Sequence, residues 1–139
     1  MQTKSVSKIR LAVFFLLIIG LNACEKDSTT DPTVNDRDKY LGVWQGTSTG
    51  PNGTRNFNMN FTASNSAQEQ ILMSNFDGAG TNTFIAANIS GNSISIVRTL
   101  VNGEYIVGSG TYNSNNTLDF SFTVDDGQSV ENRSGTARR

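Results

Sequence analysis

The chain has 139 residues, 11 basic and 12 acidic side chains, no histidine and one cysteine. Without histidine there is no Ser-His-Asp triad, no imidazole base and no His-containing zinc site. A lone cysteine cannot close an internal disulfide, and a near-neutral balance offers no basic footprint for a nucleic-acid backbone.

Lys4, Lys8 and Arg10 lead into the apolar run Leu11-Ala12-Val13-Phe14-Phe15-Leu16-Leu17-Ile18-Ile19-Gly20. A basic start, an apolar stretch and a small residue, Ala23, before a cut are the layout of a secretory signal. The run is about half the roughly 20 apolar residues that a bilayer span needs, so a cleaved signal over residues 1–23 is expected rather than a membrane helix. Leu21-Asn22-Ala23-Cys24 resembles the lipobox of bacterial lipoproteins. The resemblance implies cleavage before Cys24, diacylation of its sulfur and acylation of its new amine, and hence a lipid anchor in a bacterial outer membrane. Removing Lys4, Lys8 and Arg10 leaves eight basic against twelve acidic residues, a net charge near −4.

From Glu25 to Asp38 the chain is polar and almost free of apolar residues. It cannot bury enough surface to order itself, so residues 24–38 are read as the anchored cysteine and a flexible linker spanning roughly 20 Å. Glu25-Lys26-Asp27 partly resembles the export signals of surface lipoproteins in the Bacteroidetes, which implies exposure at the cell surface; a plain solvated linker is the alternative.

Past Lys39 the apolar residues alternate. Phe57, Met59 and Phe61 are separated by Asn58 and Asn60, and Leu118, Phe120, Phe122 and Val124 by Asp119, Ser121 and Thr123. Ile94 and Ile96 flank Ser95. Period two with one wet face is the signature of antiparallel strands. Turn signals at Gly50-Pro51-Asn52-Gly53, Gly91-Asn92, Asn102-Gly103 and Asp125-Asp126-Gly127 punctuate them, and Asp77-Gly78-Ala79-Gly80 reads as a looser loop. Strands are predicted over 40–48, 54–62, 68–75, 82–89, 93–100, 104–112, 117–124 and 128–137. Eight strands in a meander leave two edges unless the sheet closes on itself. An all-β, antiparallel up-and-down barrel over residues 39–139 is therefore expected, with a two-sheet sandwich as the alternative.

The opening strand contains Gly42-Val43-Trp44, which resembles the Gly-X-Trp start of lipocalin-type barrels. The resemblance implies a tryptophan closing one barrel end, a basic residue near the last strand (Arg133, Arg138 or Arg139) stacked across it, and a small hydrophobic ligand inside. The chain departs from secreted lipocalins in lacking the long omega loop, the disulfide and the flanking helix. As a whole it resembles small one-domain lipoproteins of the Bacteroidetes with lipocalin-like barrels.

Trp44, Phe57, Phe61, Phe120 and Phe122 are the candidate barrel-end or ligand-pocket residues. An eight-stranded barrel has room for its own side chains or for one small ligand, and so many large inward groups favour a filled interior. Gly108 and Gly110 empty one face of their strand, either for bending or for room. Asp77, Glu104, Asp119, Asp125, Asp126 and Glu131 are the carboxylates available for catalysis, and nothing in their spacing sets up the pair that glycoside hydrolysis needs. Asp125-Asp126-Gly127 supplies too few oxygens for a calcium loop. No cofactor, metal site or catalytic residue is expected. The preferred reading is a non-catalytic binding or accessory domain with an envelope partner; a carrier of a small hydrophobic ligand comes second and a carboxylate hydrolase last.

Overall fold

The computed structural model describes residues 35–139; Cys24, the signal and most of the expected linker lie outside the described residues. Eight strands follow one another: β1 (Gly42–Gly50), β2 (Gly53–Ala63), β3 (Gln70–Ser74), β4 (Phe84–Ser90), β5 (Ser93–Val101), β6 (Glu104–Asn113), β7 (Thr117–Asp125) and β8 (Val130–Arg138). Each pairs antiparallel with its sequence neighbours, and β8 returns to β1 through Gln45↔Arg138 to Thr49↔Ser134. That last ladder closes the barrel, so the up-and-down arrangement forms and the sandwich does not.

The predicted strands are found within a few residues, apart from two features. β3 is cut to five residues because the chain turns inward at Asn75 (φ 55°) and forms a 3-10 turn, Phe76–Gly78, which the sequence showed only as a loose loop. Asn35–Asp38, read as the end of the linker, is instead tied to the barrel. Asn35 Nδ2 donates to Gln68 O, and Arg37 Nη1 donates to Ser64 O and Ala67 O.

In an up-and-down barrel the connections alternate between two ends. The lower end carries residues 35–41 and the β2–β3, β4–β5 and β6–β7 connections; the upper end carries the other four. The β5–β6 hairpin is a two-residue Asn102-Gly103 turn with both φ positive (53° and 91°), which is why this dipeptide sits there.

Inward residues form one hydrophobic cluster running from Tyr40 and Trp44 at the lower end to Phe122 and Val124 near the upper. Eight short strands enclose little volume, and glycines make the space for rings. Gly46 pairs with Phe57 and Gly108 with Phe122, while Phe120 lies between Gly110 on β6 and Gly135 on β8. The room that Gly108 and Gly110 leave is therefore occupied by their cross-strand phenylalanines. A Cβ on Gly108 would lie 2.5 Å from the Cβ of Phe122 and press on the Ser121 carbonyl, which is backbone and cannot swing away. Gly108→Ala is expected to lower the unfolding free energy by about 1–3 kcal/mol in urea titration; an unchanged midpoint would mean that the strands separate freely there.

Candidate functional site: two closed ends and an outer groove

At the lower end the residues from Asp36 to Tyr40 make a turn across the opening. Trp44 is fully buried, donates its indole N–H to Tyr40 O at 2.7 Å, and stacks on Phe61 with centroids 5.9 Å apart. Of the three arginines considered from sequence, Arg139 crosses the indole, with its guanidinium carbon 4.9 Å from the ring centroid. It also donates to Leu41 O and Lys39 O, both at 2.7 Å, so one side chain clamps the turn and covers the tryptophan. The Tyr40 hydroxyl donates to Gly91 O. Burial, then the charge of Asp36 and the neighbouring Tyr112, push its pKa up to about 12, so it remains a neutral donor. This end is shut.

At the upper end Phe76 enters the barrel from the 3-10 turn and is 2 % exposed. Its ring lies 4.8 Å from Phe122, 5.4 Å from Phe120 and 6.2 Å from Phe57, in tilted and edge-on contacts. Beside it Asp77 is also buried, and its charge is met from three sides. Ser48 Oγ donates to Asp77 Oδ1; Arg55 Nη1 lies 2.9 Å and Arg133 Nε 3.3 Å from Asp77 Oδ2. Arg133 is buried too, and its Nη2 donates to Ser48 Oγ at 3.0 Å and Gly53 O at 3.3 Å. Its Nη1 contacts Glu131 at 2.6 Å. Burial acts to raise the Glu131 pKa, but hydrogen bonds from Asn52 and Arg133 and the Arg133 charge outweigh it, leaving the carboxyl below its ordinary value.

The five aromatic candidates therefore do not share one pocket. Trp44 and Phe61 belong to the lower end, while Phe57, Phe120 and Phe122 surround Phe76. The decisive upper residues, Phe76, Asp77 and Arg133, escaped a strand-based reading because Phe76 and Asp77 lie on no strand. Arg133 is a charge at an inward position of β8, which alternation alone would mark as suspect.

A small depression and an open groove border the 3-10 turn. The depression, of about 120 Å³, is lined by Arg55, Asp77, Val101, Glu104 and Ile106 among others. It has the volume of roughly four waters, and both Asp77 oxygens are already engaged, so this pairing of carboxylates provides no free acid and base. No group of three acidic, histidine or cysteine side chains suited to a metal occurs among the described residues. The groove, of about 890 Å³, lies on the outer wall. Gln45, Thr47, Asn56, Asn58 and Arg138 line its floor, and Asn75, Gly78 and Thr81 stand at its side.

No protein-family model and no curated protein matches this chain. Among solved structures it is similar to a redesigned beta barrel, mFAP1, bound to DFHBI, at 20% identity and a TM-score of 0.58, over 76% of this chain and 100% of that one. It is also similar to EF1p2_mFAP2b bound to DFHBI, at 14% identity and a TM-score of 0.55, over 76% and 97% of the two chains. These likenesses place the chain in the small closed-barrel fold.

Asp77→Ala removes one of the two carboxylates facing buried Arg133, leaves Glu131, and is expected to destabilise the domain by about 3 kcal/mol in chemical unfolding. Arg55→Ala removes a half-exposed partner and should change stability by less than about 1 kcal/mol. Equal losses from the two would show that the buried pair is not what holds the turn.

Proposed function

We propose that this chain is a lipid-anchored lipoprotein of the bacterial outer membrane whose barrel is a non-catalytic binding domain acting through its outer wall and rim. The observation that carries the binding mode is Phe76: a residue of the protein itself lies among Phe57, Phe120 and Phe122, where a barrel of this size would otherwise hold a ligand. The anchor rests on Leu21-Asn22-Ala23-Cys24 and the signal-like run before it. The absence of an enzymatic role rests on carboxylates that are spent on structure: Asp77 and Glu131 on arginines, Asp126 on the backbone N–H groups of Gln128 and Ser129, and Asp119 on Asn113.

The carrier reading keeps one point in its favour, since two proteins of similar structure, the redesigned beta barrel mFAP1 and EF1p2_mFAP2b, are bound to DFHBI. Native mass spectrometry of the protein recovered from its source envelope separates the two. The expected result is the mass of the lipidated chain alone. A discrete extra mass that departs on denaturation would replace the wall-binding reading with a carrier and give the ligand's mass. For the anchor, Cys24→Ser is expected to abolish labelling by palmitate in growing cells; persistent labelling would overturn it.

A further inference from the structure

Seven large apolar side chains are exposed among the described residues, and five of them, Phe84, Val97, Leu100, Tyr105 and Val107, lie on β4, β5 and β6. The register makes them neighbours. Leu100 pairs with Tyr105, and the shift between Ile96 and Thr99 is a bulge that turns both Val97 and Arg98 outward, opposite Val107. Phe84 lies on β4 three residues above the pair Ala87↔Ile96, at the height of Thr99 and Leu100. Half-buried Ala86 and Leu72, paired with each other, extend the patch toward β3. Directly below, the outward row changes character. Asn88, Ser95, Ser109, Ser121 and Ser134 are paired in series, and all are polar. Phe84 and Leu100 are more than half exposed, and Val97, Tyr105 and Val107 more than a third. Together the five show on the order of 450 Å² of surface, a size at which patches on single chains are often functional.

We infer that this patch is a self-association surface whose occupant is a second copy of the chain, docked about a two-fold axis. Charge selects the occupant. The patch carries one cation and one anion on opposite sides of Tyr105: Arg98 of β5 lies over the ring at 4.0 Å, and Asp125 of β7 is the cross-strand partner of Tyr105. A surface with one charge of each sign complements itself when turned through a two-fold axis, because Arg98 of each copy comes to Asp125 of the other. A partner of single sign would leave one of the two unmatched. Arg98 has donors to spare for this. It touches Asp125 through one nitrogen at 3.4 Å and makes no other hydrogen bond among the described residues, and its side chain is 57 % exposed. A lipid surface fits poorly, since Glu104, Asp125, Asp126 and Glu131 cluster at this end and the one described lysine, Lys39, lies at the other. A standard interface buries about 800 Å² per partner. The patch supplies roughly half of that as an apolar centre, with Ser95, Ser109 and Thr123 around it as a polar rim. The inference goes beyond the outer-wall reading and does not need the anchor.

The test places the photocrosslinking residue benzoylphenylalanine at Thr123, beside Val107 at the margin of the patch, in the full-length protein in growing cells. Irradiation is expected to give an adduct of two copies of this chain, identified by mass spectrometry. Arg98→Asp leaves the patch with two acids and Asp125→Arg leaves it with two bases, so either variant alone should give roughly tenfold less adduct. Coexpressing the two variants is expected to restore it, because the mixed pair again sets opposite charges against each other. Repair between two chains cannot come from the Arg98–Asp125 contact within one chain. Leu100→Glu is expected to remove the adduct, and it carries the test if a charge variant fails to fold by circular dichroism. Monomer alone, an adduct with lipid or with a different protein, or no restoration in the mixed cells would overturn the dimer. None of these results touches the native mass or the labelling of Cys24, so the outer-wall and anchor readings stand or fall separately.

Discussion

The buried pair of Arg133 and Asp77 governs the upper half of this barrel. A guanidinium at an inward position of β8 has no water to solvate it, and an unpartnered buried charge is far more expensive than any single packing contact. Glu131 meets it from the same strand, and Asp77 supplies a second counter-charge from outside the strand ladder, on a turn that enters the mouth. Placing that carboxylate beside Arg133 places the preceding residue, Phe76, in the barrel's centre. One ionic contact thus sets the position of a hydrophobic plug.

Two consequences follow from drawing the chain inward there. The interior is filled by a ring that belongs to the protein. The same detour ends β3 at Ser74, while β2 continues beyond Asn60 toward its hairpin. Filling the centre and shortening β3 are therefore two results of one turn. The positive φ angles at Asn75 and Asp77 are the local conformational cost of that turn. The ion pair, the Ser48 hydrogen bond and three aromatic contacts offset it.

The lower end is closed by different means. There a continuous segment before β1 crosses the opening, and Arg139, the last residue, clamps it through two carbonyls while lying over Trp44. Its charge stays near solvent and its bonds go to backbone, so it needs no buried counter-ion. Between the ends, glycines opposite Phe57, Phe120 and Phe122 let large rings fit a barrel of small circumference. Size at one position is compensated by its absence across the strand.

Alternation and turn chemistry determined much of this protein in advance. Period two at Phe57-Met59-Phe61 and Leu118-Phe120-Phe122 marks inward faces whatever the strands pair with, because a strand has only two faces. Asn102-Gly103 marks its hairpin because few other dipeptides accept two positive φ angles. Gly42-Val43-Trp44 indicated the end closed by tryptophan, and an arginine near the chain's end was expected over it. What tertiary structure alone decided is which arginine does which task, and how the upper mouth is shut. Arg133 and Arg139 are chemically identical in sequence; register buries one and leaves the other at the rim. Asp77 reads as a loop former until closure of the barrel brings β8 and β1 beside it, since its partners Ser48 and Arg133 lie 29 and 56 residues away along the chain. Local pattern records which face a residue takes, but a charge pair between a loop and a distant strand exists only once the sheet has closed.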